Sequence, residues 1–73
     1  LDLKDAEVIS SRHVPSIDKY RNEAKHDGNL YAWWGKSLSV GSHVNVKGKI
    51  KAHVADRDTG IKVTQLNYTK VKD

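Results

Sequence analysis

The 73-residue chain contains no cysteine, methionine or phenylalanine, and it has a single proline. Without cysteine it can form neither a disulfide nor a thiolate metal site, and its four histidines lack the spacing of a zinc motif. No apolar run approaches the roughly 20 residues that a membrane span requires, and the amino terminus has no apolar signal-like core. We therefore expect a soluble cytoplasmic protein that binds no membrane, metal or cofactor.

Residues that could form a catalytic centre are also few. Asp56 and Asp58 share one turn, but no cluster of histidine or glutamate supports them as a two-metal site. Ser10, Ser11 and His13 lie too close along one segment to act as nucleophile and base. The sequence also has no glycine-rich phosphate loop and no nucleophile elbow. It therefore predicts a protein that is not an enzyme and has no small-molecule substrate.

The net charge of +4 is unevenly distributed along the chain. Residues 1–35 contain five Lys or Arg against six Asp or Glu, whereas residues 36–73 contain eight against three. The whole positive excess therefore belongs to the second half. This asymmetry predicts a local basic patch and an anionic partner.

The segment Gly41 to Val54, GSHVNVKGKIKAHV, alternates strictly between two kinds of residue. One parity is aliphatic except at Gly48, and comprises Val44, Val46, Ile50, Ala52 and Val54. The other parity is polar and basic, and comprises His43, Asn45, Lys47, Lys49, Lys51 and His53. Successive side chains of a strand point to opposite faces. The pattern therefore predicts a half-buried strand with a dry face and a basic face.

Three segments precede this strand. Ala6 to Val14 has strand character and ends at Pro15, which lacks a backbone donor. Residues 16–26 fit a helix by local propensity, but Asp27-Gly28 is a strong hairpin dipeptide, which favours a strand over Lys19 to Lys25. Leu30 to Trp34 is rich in aromatic residues and predicts a third strand.

The remaining segments complete the expected sheet. Gly35 to Ser42 predicts a loop in which Leu38 and Val40 pack under the sheet and Gly41 makes the turn. Residues 56–60 should reverse the chain into a last strand, Ile61 to Val71. In that strand Val63 and Leu66 differ in parity, which predicts a bulge or twist between them.

Five short strands in a single domain over residues 1–73 predict an all-β fold. Gly48, in the middle of a strand, permits a sharp bend or the close approach of another strand, as required in a curled sheet. The expected architecture is a small five-stranded OB-like barrel, with an SH3-like barrel as the alternative.

The layout of the chain also carries a resemblance to a family. The segment DGNLYAWW, residues 27–34, is followed by G-x-x-V-x-V-x-G-x-I-K-x-H in residues 41–53 and by T-Q-L in residues 64–66. This layout resembles the OB-fold nucleic-acid-binding family, and is similar to small OB-like modules of phage and plasmid replication and recombination proteins. The resemblance implies a barrel that binds single-stranded nucleic acid in a bacterial or phage-infected cytoplasm. The chain departs from the pattern at Tyr68, where such modules often have a basic residue.

Aromatic residues of the third strand are the sharpest binding candidates. Tyr31 and Trp33 share one parity, while Leu30, Ala32 and Trp34 share the other, so only one of the two tryptophans can face the core. We expect Trp34 inside and Trp33 outside, where Tyr31 and Trp33 would stack on bases. The alternative is that one tryptophan simply anchors a small core that has no Phe or Met.

Cations around the basic strand are the candidates for phosphate contacts. The predicted nucleic-acid-binding residues are Tyr31, Trp33, Lys36, Lys47, Lys49, Lys51, His53, Arg57 and Lys62. Lys70 lies in a neighbouring element, and Arg12 and Arg21 would join them if the barrel closes. Lysines on an exposed strand can instead serve solubility and block edge aggregation. Their alignment with His43 and His53 favours binding.

Two functions from different classes remain. The first is non-catalytic binding of single-stranded nucleic acid, with DNA expected, through the basic face and the exposed aromatics. The second is a protein–protein interaction module of a replication, repair or virion assembly, in which the aromatics anchor a partner and the lysines form the rim.

Overall fold

The computed structural model describes residues 1–55 and 59–72. Its five strands are β1 (Asp2–Val14), β2 (Lys19–His26), β3 (Asn29–Gly35), β4 (His43–Ala55) and β5 (Lys62–Lys72). The strands close into a barrel in the order β1-β2-β3-β5-β4, and β4 pairs again with β1. Only β3 and β5 pair in parallel; the other neighbours are antiparallel. The predicted all-β, OB-like barrel is confirmed.

The segment with ambiguous local propensity is a strand. Asp27 and Gly28 both have positive φ, 51° and 79°, as a two-residue hairpin turn of type I′ requires. This turn sets the β2–β3 register, in which His26 lies opposite Asn29. A hairpin signal of two residues therefore overrides the helical spacing of residues 16–26.

The core is small and mostly aliphatic. Its buried members are Leu3, Ala6, Val8, Ala24, Trp33, Val44, Val46 and Leu66, with Tyr31, Leu38 and Val71 packed against them. Leu3 belongs to it because β1 begins at Asp2, four residues before the predicted start, and pairs there with β4. In the loop after β3, Leu38 packs inward as predicted, whereas Val40 is exposed, contrary to prediction.

The dry face of β4 is shorter than its sequence predicts. Val44 and Val46 are buried, but Ile50 is 52% exposed and Val54 42% exposed. The reason is that the β1–β4 ladder ends at the Asp2–Lys47 pair, while β4 continues to Ala55 beside β5 alone. The far half of β4 therefore extends beyond the core.

A second correction concerns the parity of β4. Ile50 lies opposite Leu66, and Ala52 lies opposite Gln65, so Lys51 is an extra residue in β4. An extra residue reverses the faces of everything that follows it. The predicted irregularity near Leu66 thus exists, but it belongs to β4, whereas β5 runs regularly beside β3 from Val63 to Gln65.

Within residues 1–55 and 59–72, no helix is long and apolar enough to cross a membrane.

Candidate nucleic-acid interface

The two tryptophans of β3 lie on the faces opposite to those predicted. Trp33 is 3% exposed and belongs to the core, whereas Trp34 is 45% exposed. The hairpin register explains the exchange, because it places Trp33 opposite the buried Asn22 and Trp34 opposite Arg21. The prediction of Trp33 as an outer stacking platform is wrong, and Trp34 has that exposed position.

Tyr31 shares the inner face with Trp33 and is also not an outer platform. It lies opposite the buried Ala24, packs against the core, and contacts His26 edge-on at 6.4 Å between ring centroids. Its predicted role as an exposed base-stacking residue is therefore wrong.

On the outer face, Ala32 is buried although it is not part of the core, since it lies between Glu23 and Gln65 of the neighbouring strands.

Trp34 stands at the end of a row of cations. Arg21 lies opposite it in β2, and Arg12 of β1 lies opposite Arg21, so these three residues share the outer face. An ion pair of 2.8 Å joins Arg21 Nη1 to Glu23 Oε1. Arg12 and Arg21 lie directly opposite each other, which is unfavourable for like charges in a sheet, and the Glu23 carboxylate offsets part of that repulsion.

Tyr68 is the second exposed aromatic ring. It is 82% exposed and has a positive φ of 52°, an uncommon conformation for a bulky residue. The Lys49 ammonium lies 5.7 Å from the centre of its ring. A ring held outward by a strained backbone and bordered by a cation is suited to stacking with an unpaired base.

Trp34 and Tyr68 line one groove. This groove has a volume of about 320 Å³ and also contains Ile17, Lys19 and Asn67 among its lining residues. A smaller depression of about 20 Å³ adjoins it and is lined by Trp34, Arg21 and Lys51 among others. The outer face therefore combines two aromatic rings with cations on both sides, and we call these residues the outer groove: Ile17, Lys19, Arg21, Trp34, Lys49, Lys51, Asn67 and Tyr68.

The predicted cations do not lie on one surface. Lys49 and Lys51 border the outer groove, and Lys36 lies in a cleft that Trp34 also lines. Lys47 is exposed between Asp2 and Lys70, on the neighbouring part of the barrel. Arg57 lies outside the described residues, as do Asp56 and Asp58.

His53 and Lys62 are not part of the outer groove. His53 pairs with Thr64 after the extra residue Lys51, and its Nδ1 lies 3.1 Å from Thr64 Oγ1. Lys62 lies opposite Ala55, at the last pair of the β4–β5 ladder. The prediction of one continuous basic face from His43 to His53 is therefore wrong at His53. The extra residue Lys51 turns the His53 side chain to the other face of β4.

Sequence reasoning missed Tyr68, Trp34, Asn67, Ile17 and Lys19 as candidate site residues, and it placed Trp34 in the interior. Tyr68 carried a signal, since it stands where the OB-like modules that the layout resembles often have a basic residue. Ile17 and Lys19 carried none, because only the closure of the barrel brings the β1–β2 turn beside β5.

The described residues contain no group of three or more His, Asp or Glu side chains that could hold a metal ion. Comparisons with family models, curated proteins and solved structures found no match. A function for this chain must therefore be argued from its own residues.

Proposed function

We propose that this barrel binds single-stranded nucleic acid along the outer groove, without catalysing a reaction. The observation that carries the proposal is the common groove of Trp34 and Tyr68, two exposed rings with Lys19 and Arg21 on one side and Lys49 and Lys51 on the other. Proteins that hold single strands combine aromatic stacking with a positively charged track for the backbone.

The arrangement favours a flexible single strand over a duplex. Unpaired bases expose their flat faces to aromatic rings, and each stack contributes roughly 1–3 kcal/mol. A groove with two rings offers few stacks and few phosphate contacts, so the isolated barrel should bind in the micromolar range or more weakly and with little base preference. DNA is the form we propose.

A titration of backbone amide resonances with a short oligothymidine at low salt tests the proposal. Binding should shift the amides of Arg21, Trp34, Asn67 and Tyr68 and quench the fluorescence of the exposed indole. The amides of His53 and Lys62 should remain unchanged and serve as the internal control. An unchanged spectrum, with unchanged fluorescence, would contradict the proposal.

The protein-docking alternative makes a different prediction for the same residues. A protein partner anchored by Trp34 should be lost on Trp34→Ala and retained when Lys49 and Lys51 are both changed to Glu. Loss of oligothymidine binding on the charge reversal supports nucleic-acid binding instead.

A further inference from the structure

A cleft opens where β3 and β5 separate. Their parallel ladder ends at the Ala32–Gln65 pair, although β3 continues to Gly35 and β5 to Lys72. The β4–β5 register shifts between the Lys49–Asn67 and Lys47–Lys70 pairs, so Tyr68 and Thr69 form a bulge in β5. Beyond this bulge β5 remains paired with β4. The gap between the two diverging strands has a volume of about 470 Å³. Sites for small organic molecules typically have about 300–1,000 Å³.

The cleft adjoins the outer groove through a shared residue. Trp34 lines both, and the buried Trp33 and Asn22 line the cleft as well. Thr69 and Lys70 of β5 lie on the other side. The cleft therefore presents an aromatic surface, backbone groups of the separated strands and a cation. Its volume is suited to one nucleotide.

One wall of the cleft is held in place by a buried hydrogen-bond network. Asn22, which is 1% exposed, donates from Nδ2 to the Lys36 carbonyl at 2.9 Å and accepts from Ser11 Oγ at 2.7 Å. Ser11 Oγ in turn accepts from the Leu38 amide at 3.0 Å. The loop from Lys36 to Leu38 is thus fixed to the barrel, and its wall of the cleft is preformed.

The charge around the cleft is suited to an anion. Lys36 and Lys70 are lining residues, and no acidic residue lines the cleft among those the structure describes. Lys47 lies directly opposite Lys70, although Asp2 flanks Lys47 on its other side. Opposed like charges are unfavourable in a sheet, and a phosphate beside Lys70 would offset that repulsion.

We propose that this cleft receives one unstacked nucleotide of the bound strand, with its base beside Trp34 and its phosphate between Lys36 and Lys70. The inference rests on the proposed function, because the strand reaches the cleft from the outer groove past Trp34. It adds a second subsite, in a cleft of about 470 Å³, that a groove with only stacking rings would not provide.

Amide titrations of the full chain with three probes test the cleft: oligothymidine, thymidine 5′-monophosphate and inorganic phosphate. Oligothymidine should shift Ser37 and Thr69 together with Trp34 and Tyr68. The mononucleotide should shift Gly35, Ser37 and Thr69, whereas inorganic phosphate should leave Gly35 unchanged. The double variant Lys36→Glu, Lys70→Glu should bind oligothymidine about tenfold more weakly than the control Lys25→Glu, Lys62→Glu, which changes the net charge equally.

The failures can be told apart. If oligothymidine shifts Trp34 and Tyr68 but not Ser37 or Thr69, and the double variant binds like its control, the cleft proposal is wrong and the groove proposal stands. If oligothymidine shifts neither set, the proposed function fails and the cleft proposal fails with it. If only the mononucleotide shifts the cleft amides, the cleft is a separate mononucleotide site and not part of a strand path.

Discussion

Gly48 of β4 lies opposite the bulge of β5 that displays Tyr68. The ladder shifts between the Lys47–Lys70 and Lys49–Asn67 pairs, so one glycine faces two residues. A Cβ at Gly48 would lie 3.1 Å from the Asn67 carbonyl oxygen. The missing side chain thus lets the two strands approach where Tyr68 turns outward, which is the close approach predicted for this glycine.

Replacing Gly48 with Ala should therefore destabilise the barrel. The added methyl group meets backbone, which cannot rotate away, and overpacking of this kind costs about 1–3 kcal/mol. Gly35→Ala is the matched control, because its Cβ would have ordinary contacts of 3.8 and 3.9 Å. Urea unfolding of both variants measures the difference. Equal stability of the two variants would show that the bulge yields easily.

The two tryptophans should respond differently to truncation. Trp33→Ala removes the largest side chain of the core and should lower the free energy of unfolding by about 3–5 kcal/mol, enough to unfold a domain of this size. Trp34→Ala should cost less, about 1–2 kcal/mol, because only about half of that side chain is buried. Circular dichroism with denaturant measures both effects. A folded Trp33→Ala protein with the stability of the parent chain would contradict the placement of that indole.

Removing either exposed ring should weaken binding without unfolding the chain. Trp34→Ala and Tyr68→Ala should each cost about 1–3 kcal/mol of binding free energy for oligothymidine, since each removes one stack. Trp34→Phe and Tyr68→Phe keep an aromatic face and should retain most of the affinity. Fluorescence anisotropy of a labelled oligonucleotide measures the series. Equal affinities for the alanine and phenylalanine variants would exclude stacking.

The lysines beside the groove should determine how strongly binding depends on salt. Each phosphate contact that is lost should reduce the slope of log affinity against log salt concentration by about 0.7. Lys49→Glu with Lys51→Glu should lower both the affinity and this slope. Lys25→Glu with Lys62→Glu has the same net charge and alters residues outside the outer groove. If the two pairs behave alike, binding follows net charge and not the groove.

Asn22 should be required for the loop that forms one wall of the cleft. Asn22→Ala removes the hydrogen bonds to Ser11 and to the Lys36 carbonyl, and should cost about 1–3 kcal/mol of stability. The Leu38 amide should then exchange faster with solvent. Asn67→Ala, at an exposed position of β5, is the control and should leave that exchange unchanged. Unchanged Leu38 exchange in Asn22→Ala would show that the loop is held by other contacts.

Local signals in the sequence were sufficient for most of the fold. The dipeptide Asp27-Gly28 specified the β2–β3 hairpin, because few other residues accept two successive positive φ angles. The alternation of apolar and polar residues placed Val44 and Val46 in the interior. Gly48 in β4 indicated the close approach of a neighbouring strand. Lys49 and Lys51 were recognised as exposed cations because alternating lysines predict a basic strand face, whichever strand pairs with it.

The aromatic site could not be found in the same way. Alternation shows that Trp33 and Trp34 face opposite sides, but not which side is the interior, and the parity of Leu30, Ala32 and Trp34 is the more apolar one. The tertiary structure decides the matter, since Trp33 is 3% exposed and lies opposite Asn22, which is 1% exposed.

The sequence by itself determined five strands, the Asp27-Gly28 turn and an excess of positive charge in the second half, because each depends on neighbours along the chain. Only the tertiary structure decided which tryptophan is exposed, that Lys51 reverses the parity of β4, and that Tyr68 and Trp34 line one groove. Register and closure join residues that are distant in sequence, and a one-residue shift between two strands exchanges their inner and outer faces.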